Sequence, residues 1–189
     1  MKVTIHQPEH FPYMGFFQKM QSCDMFVVLD DVQYTKGNFQ NRNKFKNSNG
    51  DEEWFSVQLE KSANKKLIKD VYTASGNWRK KNVRKLQQNF GFDFSDIYNN
   101  EKLIDINMAS IEWGRKKLGI NTPYIFSSEL NINSTSTKRL VDICKHLNAN
   151  EYISGLGGKN YLQLELFEDI KVTYHQPEIK NYYSVIYNV

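Results

Sequence analysis

The first thirty residues constrain the fold more strongly than any other part of the chain. Residues 3–5 are a short β-branched run, and the prolines that follow at positions 8 and 12 exclude a helix there. Apolar residues at helical spacing come next over 16–20, and 25–29 is a continuous apolar run typical of a buried parallel strand. Strand, turn, helix and strand within this length match one βαβ unit, whose right-handed crossover makes its strands parallel neighbours. The sequence therefore predicts an α/β fold.

The rest of the chain completes a prediction of one domain over residues 1–189. Apolar residues at helical spacing predict two helices in the middle, as a helical insertion over 75–120. Strands and helices alternate again after it, so both ends of the chain should build one central, mostly parallel sheet in a nucleotidyltransferase-like or Rossmann-like order. A turn cluster at 47–51 predicts a β-hairpin. The remaining predicted elements are strands at 54–59, 123–126, 151–153 and 170–174, helices at 78–89, 103–118, 139–147 and 161–167, and a surface loop at 61–70.

Polar side chains follow the first two predicted strands at the point where each strand ends. His6 and Gln7 follow the first strand, and Asp30 and Asp31 follow the second. Ligands of open parallel sheets bind at this carboxyl edge, so His6, Asp30 and Asp31 are the catalytic candidates. Gln7 is a ligand-binding candidate. The alternative is a histidine bonded to a neighbouring loop and a solvated acidic turn. The tetrapeptide at 6–9 recurs at 175–178, but the flanks differ, which indicates a chance repeat.

A polar segment with amides and bases follows the two carboxylates. Together these groups offer a general base, an orienting group and contacts to an anion within one loop. Alternation along a strand would place Gln40, Arg42 and Lys44 on one face. Asn41 and Asn43 would then lie on the other. The alternative is a solvated basic edge strand. The ligand-binding candidates of this segment are Gln33, Lys36, Asn41, Arg42, Asn43 and Lys44.

A glycine-rich loop follows the predicted strand at 151–153. Glycines let backbone amides approach a ligand closely, as they do in phosphate-binding loops. The spacing matches neither a Walker A loop nor a dinucleotide fingerprint, so a tight turn without a ligand is the alternative. The ligand-binding candidates of this loop are Ser154, Gly155, Gly157, Gly158 and Tyr161.

Hydropathy and cysteine spacing exclude several classes of protein. No apolar run reaches the length of a membrane span, and the N-terminus lacks the apolar middle of a signal peptide. Cys23 and Cys144 lie far apart in the chain, without metal-ligand spacing. Pro8 prevents the helical spacing that would let His6 and His10 share a zinc ion. We therefore expect a cytoplasmic protein with reduced thiols, no metal and no cofactor.

The distribution of charge matters more than the formal net charge of +4. Basic residues concentrate in 36–46 and 61–85, which predicts either a solvated face or an electropositive site for an anionic ligand. A basic helix at 78–85 is the sole support for nucleic-acid binding. No recognisable binding motif accompanies that helix, so a nucleic-acid partner is not expected. Nothing in the sequence indicates an oligomeric state.

Several blocks of residues form a pattern that spans nearly the whole chain. They are His6-Gln7-Pro8, Pro12, residues 15–20, Asp24, residues 26–27, residues 29–34, Lys36, residues 39–44, Ser154-Gly155, Gly157-Gly158 and Tyr161-Leu162. This pattern resembles the WbqC-like protein family of bacteria, and its first block is the most specific part. The resemblance implies a role near the biosynthesis of bacterial surface polysaccharides such as O-antigen. The order of the early segments is also similar to nucleotidyltransferase-like folds, which is an analogy of fold alone.

The leading hypothesis is a transferase that moves a small group to a sugar-nucleotide or a related activated intermediate. Its partner would be a small anionic substrate, either a sugar-nucleotide or an acyl donor. His6 would stabilise or deprotonate a reacting group, and Asp30 would act as a base or an orienting carboxylate. Lys36, Arg42 and Lys44 would hold phosphate or carboxylate groups, and the loop at 154–158 would close the opposite wall. One alternative is a non-catalytic module that binds a nucleotide-like ligand or a partner enzyme, and another is a basic protein associated with RNA or DNA.

Overall fold

Seven strands and five α-helices form in the computed structural model, which describes residues 1–189. The strands are β1 (Lys2–His6), β2 (Met25–Val28), β3 (Arg42–Lys46), β4 (Glu52–Ser56), β5 (Tyr124–Phe126), β6 (Glu151–Gly155) and β7 (Lys171–His175). The helices are α1 (Met14–Gln21), α2 (Trp78–Phe90), α3 (Ser95–Tyr98), α4 (Leu103–Leu118) and α5 (Ser136–His146). None of these helices combines the length and the apolar character that a membrane crossing requires.

Five strands from both ends of the chain form one parallel sheet, as the sequence predicts. The strand order is β5-β2-β1-β6-β7, and every neighbouring pair is parallel. This sheet lies in the first of two compact units, which comprises residues 1–7, 15–29 and 120–180. Ile5 of β1 lies opposite Val27 of β2, so the predicted βαβ unit and its parallel strands are confirmed. The α/β class is therefore confirmed as well.

Different helices cover the two faces of this sheet. On one face, Ile5 packs in a buried cluster with Leu140 of α5, and full burial of such a side chain contributes roughly 1.5–3 kcal/mol. On the other face, the Phe16 ring of α1 lies 5.0 Å from the His6 ring and 5.3 Å from the Phe26 ring. Because neighbouring residues of a strand point to opposite faces, His6 points to the α1 side.

The second unit comprises residues 8–14, 30–119 and 181–189. It contains the antiparallel hairpin of β3 and β4 together with α2, α3 and α4. Both long helices end at a glycine: Gly91 follows α2 and Gly119 follows α4, each in the left-handed conformation that closes a helix. Phe11 lies at the centre of the unit's aromatic core, 4.8 Å from the Phe94 ring and 5.9 Å from the Phe55 ring.

Two predicted segments differ in type in the structure, and the strand predicted at 54–59 forms over Glu52–Ser56 instead. The helix predicted at 161–167 is wrong: short 3-10 turns form instead over Leu156–Asn160 and Leu164–Phe167. Of the four residues in the second turn only Phe167 is buried, so the stripe of buried side chains that anchors an α-helix is missing. The surface loop predicted at 61–70 is partly wrong, because it contains two 3-10 turns and the fully buried side chain of Ile68.

Candidate functional site

His6 ends β1 and lies against α1 in the first unit. The hydrogen bond from its Nδ1 to the carbonyl oxygen of Gln7 is 2.9 Å long, and it places the ring proton on Nδ1 because a carbonyl only accepts. Burial and, next, the ammonium of Lys19 lower the pKa of His6 to about 3, although the Gln7 carbonyl opposes them. His6 is therefore neutral at pH 7. Its Nε2 keeps a lone pair that can accept a proton.

The sheet edge next to His6 carries two polar side chains that the sequence did not single out. Lys19 of α1 is only 4% exposed, and His175 ends β7 opposite Gly155 of β6. Burial, followed by the charge of Lys19, lowers the pKa of His175. Lys19 therefore acts electrostatically on both histidines. The recurrence of the tetrapeptide at 175–178 was the one sequence signal that pointed to His175.

The predicted glycine-rich loop begins where β6 ends. Ser154 is buried, and its hydroxyl donates to the Gly155 carbonyl at 3.1 Å. A Cβ atom at Gly158 would lie 2.1 Å from the Ser154 hydroxyl oxygen, so a larger residue at this position would force the Ser154 side chain to move. Gly157 has open space where its Cβ would be, and Tyr161 is 62% exposed. The loop therefore packs internally through Ser154 and Gly158 and leaves Gly157 and Tyr161 open to solvent.

The three polar residues that follow β2 belong to the second unit: Asp30, Asp31 and Gln33. Asp30 is only 3% exposed, and its backbone carbonyl accepts a hydrogen bond from the amide of Lys69 at 2.9 Å. Asp31 is half-buried. The side-chain amide of Gln33 donates to the carbonyl of Asn64 at 2.7 Å, which fastens the segment around residue 64 to this strand end.

A cavity of about 600 Å³ in the second unit brings together several predicted ligand-binding residues. This volume falls within the range of sites for small molecules and cofactors. Arg42 is held in place because its guanidinium carbon lies 4.6 Å from the centre of the Trp54 ring and it donates to the carbonyl of Gly37. The lining includes the predicted residues Lys36, Asn41 and Arg42 and also Tyr34, Glu60 and Lys61.

The charges of the cavity lining are unbalanced in favour of cations. Glu60 is the sole carboxylate of the lining, and its oxygens lie 2.9 Å from the ammonium of Lys66. Hydrogen bonds from the Tyr72 amide and then from Lys66 lower the pKa of Glu60 to about 2. This carboxylate therefore already accepts hydrogen bonds from protein donors. Arg42 and the exposed side chains of Lys36 and Lys61 remain, which favours an anionic ligand.

The other predicted residues of the hairpin segment have structural contacts. Asn43 is 1% exposed, and its amide donates to the carbonyls of His10 and Phe11 at 3.2 and 2.7 Å. Lys44 lies 3.0 Å from the carboxylate of Glu52. The predicted alternation holds from Arg42 onward. Gln40 precedes the strand and is buried, so the predicted strand face does not extend to it.

Asn41 both lines the cavity and stabilises its wall. Its side-chain oxygen accepts a hydrogen bond from the Tyr34 hydroxyl at 2.9 Å, and its side-chain amide donates to the Val57 carbonyl at 3.0 Å. Tyr34 and Lys61 were not predicted as site residues, because a buried tyrosine and a lysine in a polar loop carry no distinctive sequence signal. No group of three or more His, Cys, Asp or Glu side chains lies close enough together to hold a metal ion.

Comparison with known proteins supplies the family. A protein of Mycobacterium tuberculosis (strain ATCC 25618 / H37Rv), uncharacterized protein Rv1507c, is 27% identical over 184 residues. That alignment covers 90% of this chain and 79% of the mycobacterial protein. No solved structure shows significant similarity to the chain. The sequence model of the WbqC-like protein family matches residues 7–188, and the chain therefore belongs to that family.

Proposed function

We propose that this WbqC-like protein transfers a small group to a sugar-nucleotide or a related phosphate-bearing intermediate of surface-polysaccharide biosynthesis. The cationic cavity of the second unit is the observation that carries this proposal. Three cationic side chains line it, whereas its one carboxylate is already paired with Lys66. A ligand with two or more negative charges suits this balance better than a neutral one.

Arg42 is the residue best suited to bind a phosphate. Its guanidinium is stacked on Trp54 and bonded to the Gly37 carbonyl, so little side-chain freedom remains to be lost on binding. Lys36 and Lys61 are exposed and make no ion pair, and they are free to turn toward further anionic groups. Lys44 is a weaker candidate, because the Glu52 carboxylate already neutralises its charge.

His6 is the proposed base of the reaction. As the acceptor's hydroxyl or amine bonds to the transferred group, its proton passes to Nε2 of His6, and the leaving group departs with the electron pair of the broken bond. A histidine with a pKa near 3 is a weak base, mainly because it is buried, and an anion bound beside Lys19 would raise this pKa by offsetting the smaller effect of the lysine charge. Asp30 and Asp31 are proposed to orient the substrate or assist as bases.

A thermal-shift titration with sugar-nucleotides and acyl donors tests the binding step. Saturating ligand at about 100 times its Kd adds roughly 2.7 kcal/mol of apparent stability. Lys36→Ala should weaken the response about tenfold or more, since one charge-assisted contact is lost. Lys81→Ala is the matched control, because Lys81 is exposed on α2 and does not line the cavity. An equal loss in both variants, or no response to any phosphate-bearing ligand, would overturn the assignment of the cavity.

An assay for product formation distinguishes an enzyme from a non-catalytic binding module. If a ligand stabilises the protein but no product forms with any donor, the transferase proposal is wrong and a non-catalytic nucleotide-binding role replaces it. If a product forms, His6→Gln should lower kcat by about 100-fold or more and leave ligand affinity unchanged, because general base catalysis contributes roughly 10²–10⁴. Equal turnover in His6→Gln would remove His6 from the mechanism.

A further inference from the structure

Two aromatic side chains of the second unit are exposed beside the hairpin of β3 and β4. Trp54 of β4 and Phe39, which precedes β3, are each 40% exposed, whereas Phe45 and Phe55 of the hairpin are almost fully buried. Neighbouring residues of a strand point to opposite faces, so Trp54 points away from the core into which Phe55 packs. The rings of Phe39 and Trp54 are nearly parallel, with 22° between their planes and 6.2 Å between their centres. We call these two rings the aromatic pair.

The aromatic pair adjoins the cationic cavity. The guanidinium carbon of Arg42, which lines the cavity, lies 4.6 Å from the centre of the Trp54 ring. Ser56 also lines the cavity and stands two residues after Trp54 in β4, so both side chains lie on the same face of the strand. On the other side, Phe39 follows two residues after Gly37, a lining residue whose carbonyl accepts a hydrogen bond from Arg42. The pair therefore lies at the rim of the cavity.

Core packing does not explain the aromatic pair. The core of the unit is filled by other rings, such as Phe55, which lies 5.9 Å from Phe11. Support of the Arg42 guanidinium accounts for the position of Trp54 but not for that of Phe39, which stacks on Trp54 and stays exposed. An exposed aromatic surface beside a cationic cavity favours a ligand that is planar and aromatic at one end and anionic at the other.

We propose that the aromatic pair is a subsite for the nucleobase of a nucleotide whose phosphate groups bind Arg42 in the cavity. A nucleotide carries its base and its phosphates on one ribose, so a single ligand can contact the pair and the neighbouring guanidinium together. The inference rests on the proposed function and deepens it, because it assigns the residues that recognise the nucleotide half of a sugar-nucleotide.

The chemistry of stacking sets what this subsite can distinguish. Every base has a π face, so stacking tolerates different bases and contributes about tenfold or more to affinity. We therefore expect purine and pyrimidine nucleotides to bind, with the larger purine binding more tightly. A sugar phosphate without a base has no aromatic ring and gains nothing from the pair.

Calorimetric titration of the full chain at constant ionic strength tests the subsite. Uridine diphosphate and adenosine diphosphate should bind the wild type about tenfold or more tightly than inorganic pyrophosphate, which lacks a base. Phe39→Ala should remove most of this difference and leave the affinity for pyrophosphate unchanged, whereas Phe39→Trp should keep the difference. Tyr182→Ala is the matched control, because Tyr182 is a 65% exposed aromatic residue of the same unit that does not line the cavity.

Tryptophan fluorescence gives a second measurement of the same contact. Of the three tryptophans only Trp54 is exposed, so a base that stacks on the pair should quench its emission, whereas pyrophosphate should not. Trp54→Phe keeps an aromatic face and should lose the quenching while the affinity for both nucleoside diphosphates stays within a few fold. Quenching that persists in Trp54→Phe would place the base elsewhere.

The possible failures are distinguishable. If pyrophosphate binds as tightly as the two nucleoside diphosphates, or if Phe39→Ala and Tyr182→Ala behave alike, the base subsite does not exist and the cavity remains a phosphate site. If Phe39→Ala weakens pyrophosphate as much as the nucleoside diphosphates, Phe39 supports the cavity and does not bind a base. If none of the three ligands binds, the subsite and the proposed function both fail.

Discussion

Lowering the pH from 7 to 5 tests whether His10 is held neutral in the folded protein. Its ring is fully buried among aromatic side chains, with ring centres 5.1 Å from Phe11 and 5.3 Å from Phe55. Burial lowers its pKa from 6.5 to about 3, and a smaller effect of the nearby Asn107 side chain opposes it. The unfolded chain has no such burial, so its His10 takes up a proton near the ordinary pKa of about 6.5. The folded state therefore resists protonation that the unfolded state accepts.

The sign and size of the effect follow from this difference. The folded pKa is depressed, so stability is complete above pH 6.5 and is lost as the pH falls toward 3. At pH 5 the unfolded histidine is protonated almost fully and the folded one hardly at all. One pKa unit corresponds to about 1.4 kcal/mol, so His10 alone should reduce the free energy of unfolding by roughly 2 kcal/mol between pH 7 and 5.

Urea unfolding at both pH values measures this change. His10→Phe should show a pH-dependent loss that is about 2 kcal/mol smaller than that of the wild type. The comparison is made within each variant across pH, so the cost of leaving the Tyr98 hydroxyl without its 3.0 Å partner cancels. His146→Gln is the matched control, since it removes a histidine from the surface. If His10→Phe loses as much stability as the wild type, His10 is not the buried neutral group described above.

Two further substitutions test the packing of the candidate site. Gly158→Ala should destabilise the protein by about 1–3 kcal/mol, because the new methyl carbon meets the Ser154 hydroxyl at 2.1 Å. Gly157→Ala, made where there is open space, should cost much less in the same urea titration, and equal costs would contradict this packing. Asn43→Ala should cost about 3 kcal/mol, since it leaves two buried carbonyls unpaired. A midpoint within experimental error of the wild type would show that water replaces the amide.

The elements predicted best are those in which local pattern and tertiary packing agree. The helix α4 carries its apolar residues at helical spacing and ends at a glycine in the left-handed conformation, so its bounds were predicted as they form. The sheet was predictable for a similar reason, because β2 is a short apolar run whose residues are mostly buried. The turns around Leu164 were predicted as a helix, since single apolar residues there resemble a helical stripe although they are mostly exposed.

The candidate site was only partly predictable. Neighbouring sequence indicates the position of some of its residues, whereas the position of others depends on tertiary packing. His6 follows a strand directly, so its place at the sheet edge could be inferred from neighbouring residues. Lys19 gives no such signal, since a lysine in a helix is usually exposed and only the packing of α1 buries it. Asn43 shows the reverse: it stands among basic and amide residues that suggest ligand binding, but its amide binds the backbone of residues 10 and 11.

The repeated tetrapeptide His-Gln-Pro-Glu shows that the fold can give two similar short sequences equivalent positions, which the sequence alone does not reveal. The two copies have different surroundings, since β1 lies inside the sheet and β7 lies at its edge. Both copies begin where a strand ends. There the sheet fixes the histidine side chain, and the proline that follows prevents the chain from continuing as a helix. The carboxyl ends of parallel strands lie at the same edge of the sheet. What His6 and His175 share is therefore an equivalent position, at the last residue of a parallel strand, rather than similar flanks.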